Sequence, residues 1–207
     1  MKLFNKIFIL FVSITFLRLA VSCCNCESDF YSFDYSSVVI HNIDNSGRWS
    51  KPITNNEMSA ASIAFEVQII GTKPVSASSS RIKINGFKTL SAQNCECDDQ
   101  YVPNQTISDI RIRTLNDINS DYCCNDDVTN LFVANTCVSC EDIGSFYITI
   151  DELKKRINPE GLYESPTNKF LIYLKKTVEN DKAQFEVEID FSDGRSIVTQ
   201  TNLITII

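Results

Sequence analysis

The scarcest chemical resource of this 207-residue chain is histidine, with His41 the only one. A Ser-His-Asp triad or a Cys-His pair would have to be built on that side chain. It stands beside Ile40 and Ile43 in a run that reads as a strand, the setting of a surface histidine on a sheet. The six glycines are scattered singly, so neither the phosphate loop nor the dinucleotide fingerprint is present. Lys and Arg form no cluster, and without one a chain has little to neutralise a polyanion, which argues against a nucleic-acid partner. The eleven-residue apolar run Ile7 to Leu17 falls short of the roughly 20 residues that a membrane-spanning helix needs.

That short run has a different meaning. Lys2 and Lys6 precede it as a positive region, and the run itself has the length of a secretory signal core. Ala20-Val21-Ser22 then places small residues at −3 and −1 of a cut after Ser22, so residues 1–22 read as a signal peptide. Leu19-Ala20-Val21-Ser22-Cys23 resembles the bacterial lipobox, with Ala20 where leucine is usual and Arg18 unusually near the cut. The resemblance implies a diacylglycerol on the Cys23 thiol. Cys24 is the poorer anchor, since Cys23 would then occupy the small-residue position. Two or three acyl chains, at about 0.8 kcal/mol per buried methylene, hold a protein in a bilayer. The expected address is the cell envelope, at the outer membrane through the lipid anchor, with a secreted or periplasmic protein as the alternative. Three of the 19 basic residues lie in the signal segment, so the remainder carries 16 against 26 acids, a net charge of −10. Such acidity favours solubility and repulsion from anionic surfaces.

Nine cysteines is an odd number, which in an exported protein calls for an explanation. Lipidation of Cys23 leaves four doublets: Cys24/Cys26, Cys95/Cys97, Cys123/Cys124 and Cys137/Cys140. An oxidising compartment makes all eight disulfide candidates. Adjacent or nearly adjacent cysteines cannot reach the preferred Cα separation of about 5.5 Å without strain, whereas Cys137-Val138-Ser139-Cys140 has room to close on itself. If it does, the other three doublets pair among themselves in about eight ways, each a triangle linking tether, 95–97 loop and 123–124 loop. Two functional readings compete. Cys137/Cys140 could be a redox pair, although Glu141 and Asp142 beside it would raise a thiol pKa, and Cys-x-Cys units could build a tetrahedral metal site.

Residues 23–28 read as a lipidated tether and 29–207 as the folded domain. Asp29 to Asp44 is rich in aromatic and β-branched residues and ends in the turn signal Asn45-Ser46-Gly47, so it reads as the first strand. Ser62 to Ile70 alternates Ile63, Phe65, Val67 and Ile69 on one face. Beyond the Ser76 to Ser80 linker, Arg81 to Leu90 is a weaker strand, and Ile107 to Leu115 another. Asp127 to Ala134 is expected to make one or two helical turns. Ser145 to Ile150 reads as a strand, and Asp151 to Ile157 as a short helix with acids first and bases last, stopped by Asn158-Pro159. Phe170 to Val178 and Ala183 to Phe191 are strands joined by the hairpin-length polar loop Glu179 to Lys182. A three-residue Ser192-Asp193-Gly194 loop, with Gly194 left-handed, would pair Phe191 with Arg195, Ile189 with Ile197 and Ala183 with Leu203. The expected fold is mainly β: an antiparallel β-sandwich, roughly immunoglobulin-like, with one or two short helices.

From Ser108 to Phe132, a strand, Thr114-Leu115-Asn116-Asp117-Ile118-Asn119, Asp127-Val128-Thr129 and Phe132 follow in turn. With Phe170-Leu171-Ile172-Tyr173-Leu174, the Phe185 to Arg195 segment and the cysteine-rich start, the chain resembles a family of small bacterial cell-envelope lipoproteins of unknown function. The resemblance bears on address and rough fold and implies no activity.

Direct chemical signals are sparse. Asp117, Asn119 and Asp121 alternate as in the opening of a calcium loop, and Asp126 and Asp127 are near. Tyr122 stands where that loop needs glycine, and Val128 where it needs a bidentate glutamate. The acid pairs Asp98/Asp99 and Glu141/Asp142 would suit glycoside hydrolysis only at a fixed spacing across a cleft. Trp49, Tyr31 and Tyr35 would serve as a sugar or peptide platform if exposed, or as core if not. No cofactor is implied. The leading expectation is a non-enzymatic binding or structural module with an unidentified protein or glycan partner. The alternative is a small hydrolase or calcium-dependent enzyme using loop carboxylates.

Overall fold

A computed structural model describes residues 30–47, 51–53, 55–72, 100–135, 147–158 and 165–207. The expected strand at Arg81 to Leu90, the linker before it and Trp49 lie outside the described residues. Within them the chain is mainly β, with several sheets and one helix, in a sandwich-like arrangement.

The strands are β1 (Phe30–Phe33), β2 (Tyr35–Asp44), β3 (Lys51–Pro52), β4 (Glu57–Met58), β5 (Ile63–Gly71), β6 (Gln100–Pro103), β7 (Ile107–Thr114) and β8 (Phe132–Asn135). After helix α1 (Ile150–Ile157) come β9 (Thr167–Leu174), β10 (Lys182–Ala183), β11 (Phe185–Phe191), β12 (Ser196–Gln200) and β13 (Ile204–Ile206). One layer is the five-stranded sheet β3-β2-β5-β9-β8, and the other the three-stranded sheet β12-β11-β7. Two smaller sheets, β10-β13-β4 and the parallel ribbon β1-β6, extend them.

Alternation builds the core between the layers. Ile63, Phe65, Val67 and Ile69 of β5 are buried, as are Phe185, Val187, Ile189 and Phe191 of β11. Aromatic rings bridge the gap: Phe185 lies 5.6 Å from Phe65 and 5.4 Å from Phe132, and Tyr35 stacks on Phe191 at 5.3 Å. Such pairs add about 0.5–1.5 kcal/mol each beyond the area they bury. Tyr35 is therefore core, and its hydroxyl accepts a bond from Asn168. Gly71 is forced by packing, because a Cβ there would stand 2.2 Å from the Phe33 ring and 2.7 Å from the Pro166 carbonyl oxygen.

Several expectations need correction. Where one strand from Asp29 to Asp44 was expected, the described part from Phe30 is two, because the chain leaves the ribbon at Asp34 and joins β5 from Tyr35 onward. The Asp34 carboxylate accepts bonds from Asn104 and Gln105, which pin this corner and hold its pKa below the usual carboxylate value. Asp127 to Ala134 makes only a 3-10 turn at Thr129–Leu131 before becoming β8, because Phe132 and Ala134 are drawn into the core beside β9. In the expected strand Ser145 to Ile150, Ile148 makes a single bridge to Ala134, and the helix already starts at Ile150. Thr149 caps that helix in a capping box with Glu152, satisfying amides that would otherwise go unpaired. The strand from Phe170 ends at Leu174, and its connection to β11 crosses between the layers.

The last hairpin keeps the three-residue loop: Gly194 has φ 85, the Phe191 N–H bonds to the Arg195 carbonyl, and Ile189 opposes Ile197. Ala183 pairs with Ile204, one residue beyond the expected Leu203. The slip arises at Thr201, whose N–H and hydroxyl both bond to the Phe185 backbone and end the ladder.

Candidate functional site

Among the described residues, the segment from Leu115 to Thr129 collects most of the polar residues that the sequence singles out, and packing along the β7 edge gives it its shape. The Val128 N–H bonds to Ile112 O, the Asn125 N–H to Thr114 O, and the Thr129 hydroxyl accepts from the Ile112 N–H at 2.8 Å. This edge would otherwise offer bare amides to another strand. Farther along the same edge, Asn158 at the end of α1 imitates a strand: its Oδ1 accepts from Ile107 N at 2.8 Å and its Nδ2 donates to Ile107 O at 2.7 Å. Lys154 bonds Asp109 at 2.9 Å and Asp151 at 2.8 Å. Those bonds raise the lysine pKa, Asp151 first, and the lysine lowers that of Asp109.

Within the segment Asp117 and Asn119 of the candidate calcium loop are turned onto the backbone, while Asp121 faces Lys176 at 3.9 Å. Asp117 Oδ1 accepts from Cys124 N at 2.8 Å, and Asn119 Oδ1 accepts from the N–H groups of Asp121 and Tyr122. Asp126 Oδ2 caps Cys123 N at 2.7 Å, and Asp127 Oδ1 caps Thr129 N at 2.9 Å. Asn119 and Asp127 bond the backbone two residues on, as in an Asx turn, which gives them a local reason to occupy these positions, while Asp117 and Asp126 tie down the Cys123-Cys124 backbone from seven residues before and three after. Among the described residues no three His, Cys, Asp or Glu side chains stand where they would hold a metal ion. The acid pairs Asp98/Asp99 and Glu141/Asp142 lie outside the described residues.

Cys123 and Cys124 are exposed free thiols on this loop, and the Cys124 thiol donates to Leu115 O. Asn125 follows them with φ 73 and turns the chain back toward β7. Cys23, Cys24, Cys26, Cys95, Cys97, Cys137 and Cys140 lie outside the described residues. His41 is exposed on β2 opposite Glu66. Tyr31 stacks on Tyr101 across the ribbon at 5.7 Å.

The concavity beside this segment is a cleft of about 430 Å³ between the 3-10 turn and the start of α1. Phe132 and Ile150 line it, with Asp127, Asn130, Asp151 and Lys175 among its polar residues. Its size suits a small ligand. Sequence reasoning did not find this cleft, because its wall depends on α1 docking against β7 and β8. The only local signal was Thr149 three residues before Glu152, the pattern of a helix start.

No family model, no curated protein and no solved structure matches this chain.

Proposed function

We propose that the protein is a lipid-anchored cell-envelope module that binds or supports a partner. The observation that carries this reading is the sequence from Lys2 to Cys23, a signal core ending in Ala20-Val21-Ser22-Cys23 just before a folded β domain. The first strand among the described residues starts at Phe30, so Cys23 is separated from it by only a few residues, as suits an anchor holding a domain near a membrane. Two or three acyl chains on Cys23 would suffice for stable retention. Parity supports the same residue, since its removal from the thiol pool leaves eight of nine cysteines to pair in an oxidising compartment.

A binding or structural role is favoured by how the loop carboxylates are used. Asp117, Asp126 and Asp127, like the Asn119 carboxamide, each accept backbone N–H bonds, so much of their hydrogen-bonding capacity serves the loop itself. Strand β12 at the rim of the three-stranded sheet carries Val198, which is 52% exposed. It offers a protein partner an apolar contact beside a strand edge.

The test is expression of the full chain in a bacterial host fed an alkyne-tagged fatty acid. The wild type and Cys24→Ala are expected in the membrane fraction with label, and Cys23→Ala without it. Label retained by Cys23→Ala, or a mature wild-type protein that starts at unmodified Cys23, would overturn the anchor.

A further inference from the structure

The cleft between the 3-10 turn and the start of α1 is walled by pieces that the backbone already fixes. On one wall the Thr129 hydroxyl accepts from Ile112 N at 2.8 Å, and Asp127 Oδ1 accepts from Thr129 N at 2.9 Å. The base of Lys175 is tied to the turn itself, since its backbone N–H donates to Leu131 O at 2.8 Å. Ala134 and Ile148 exchange both of their backbone bonds, at 2.8 and 2.9 Å, and so seat the chain that enters α1. Phe132 and Ile150, both buried, supply the apolar lining. Secondary structure thus holds open about 430 Å³, a volume within the range of about 300–1,000 Å³ usual for small-molecule sites.

The charges that line this cleft do not cancel one another. They are Asp127, Asp151 and Lys175. Asp151 is held by Lys154 at 2.8 Å, which leaves Asp127 and Lys175. Neither has an ion-pair partner among the described residues, and they do not reach each other across the cleft. Arg113, whose backbone bridges to Asp127, turns its guanidinium instead to Glu188 at 3.2 Å. We propose that the cleft binds a small zwitterion, a free amino acid or a short peptide, with the ligand ammonium on Asp127 and the ligand carboxylate on Lys175.

Other ligand classes fit the same walls less well. A simple amine would answer Asp127 and leave Lys175 facing a like charge, and a simple carboxylate would do the reverse. A neutral sugar would cover two charges while supplying a counter-charge to neither, at a desolvation cost. A zwitterion makes a charge-assisted hydrogen bond at each end. Thr129 and Thr149 add to this, because each hydroxyl accepts a backbone bond, from Ile112 N and from Glu152 N, and keeps its proton to donate. The cleft lies in the folded domain, so its ligand does not depend on acylation of Cys23.

The experiment titrates the isotopically labelled full chain with L-alanine and with L-alanyl-L-alanine and follows backbone amide shifts. Saturable shifts are expected at Asn130, Ile150 and Lys175, with β12 amides unmoved, and the tighter of the two probes tells a free amino acid from a peptide. Acetylating the amine or amidating the carboxylate of that probe should weaken binding at least about tenfold, and added salt should narrow the gap. Two variants separate the ends. Lys175→Met keeps the stem and should bind the probe no better than wild type binds its amide. Asp127→Asn keeps an acceptor for Thr129 N and should bind the probe no better than wild type binds its acetylated form. Unchanged shifts outside the cleft report that each variant is folded. An absence of shifts up to about 20 mM of either probe, equal affinity for blocked and unblocked forms, or tighter binding of maltose would overturn the proposal. So would variants that are folded and bind as the wild type does. A chain without lipid on Cys23 would sink the anchor reading and leave these titrations to decide the cleft.

Discussion

Strands β9 and β11 sit in opposite layers and have different patterns. β11 alternates strictly: Phe185, Val187, Ile189 and Phe191 point into the core, while Glu186, Glu188 and Asp190 are only half-buried. β9 is buried continuously from Phe170 to Leu174. A strand with water on one face alternates, and a strand covered on both faces reads as an apolar run. The outer faces bear this out. Outside β11 lies a charge ladder in which Arg111 reaches Asp190 at 2.6 Å and Glu188 at 3.1 Å, and Arg113 reaches Glu188 at 3.2 Å. Outside β9 lies a second apolar cluster of Ile43, Ala64, Leu171 and Tyr173, with Val133 against it. Tyr147 meets Tyr173 edge-on at 5.0 Å. From Phe170 to Leu174 β9 is thus buried on both faces, whereas β11 turns one face toward solvent.

The shared core is where the largest effect is expected. Phe185→Ala removes a ring that touches both layers, and should cost about 3–5 kcal/mol in denaturant unfolding. Outside the core the two strands should diverge. Leu171→Ala on the covered face should cost about 2–4 kcal/mol, and Glu188→Ala on the charged face under about 1 kcal/mol. A Leu171→Ala cost near that of Glu188→Ala would break the comparison, because it would mean that the outer face of β9 is open to water.

The rim of the charged layer gives a smaller effect. Asn158→Ala leaves the Ile107 N–H and carbonyl without their side-chain partners and should cost about 1–3 kcal/mol. Faster amide exchange at Ile107, with β11 amides unaffected, would locate the loss at the edge. An exchange rate unchanged at Ile107 would count against strand mimicry by Asn158.

The smallest effect belongs to the Asp109–Lys154 pair. Lys154 lowers the Asp109 pKa, so the stabilisation from this carboxylate is present above its unfolded value, about 4, and fades as pH falls through the lower folded value. The Lys154 pKa is raised, so its share is complete below about 10.5 and fades only at more alkaline pH. Asp109→Asn should therefore cost under about 1 kcal/mol at neutral pH, the scale of an exposed pair. Its deficit should vanish in acid. A deficit that persists at pH 2 would assign the effect to packing.

Much of the strand framework was legible from local pattern. Ile63 to Ile69 and Phe185 to Phe191 alternate, and an alternating strand with a buried face has few registers open to it. Gly194 could be placed because only a left-handed residue closes that three-residue loop. The calcium-like spacing of Asp117, Asn119 and Asp121 was equally visible, and Asn119 shows that Asx turns draw on the same residue types as metal loops. What local pattern missed were decisions made at a distance. Phe132 to Asn135 is extended because β9 lies beside it, and Asp29 to Asp44 breaks at Asp34 because Asn104 and Gln105 hold the corner.

The sequence by itself determined the class of fold, the short helix with its graded charge, the last hairpin's loop and the grouping of cysteines into doublets. Each follows from neighbours along the chain, where periodicity, turn chemistry and covalent spacing act within a few residues. Only the tertiary structure decided which strands share a layer, that the connection from β9 to β11 crosses between layers, and that β1 and β6 run parallel. Those choices depend on side chains far apart in sequence meeting in one core, as Phe65, Phe132 and Phe185 do. No local pattern records such a meeting.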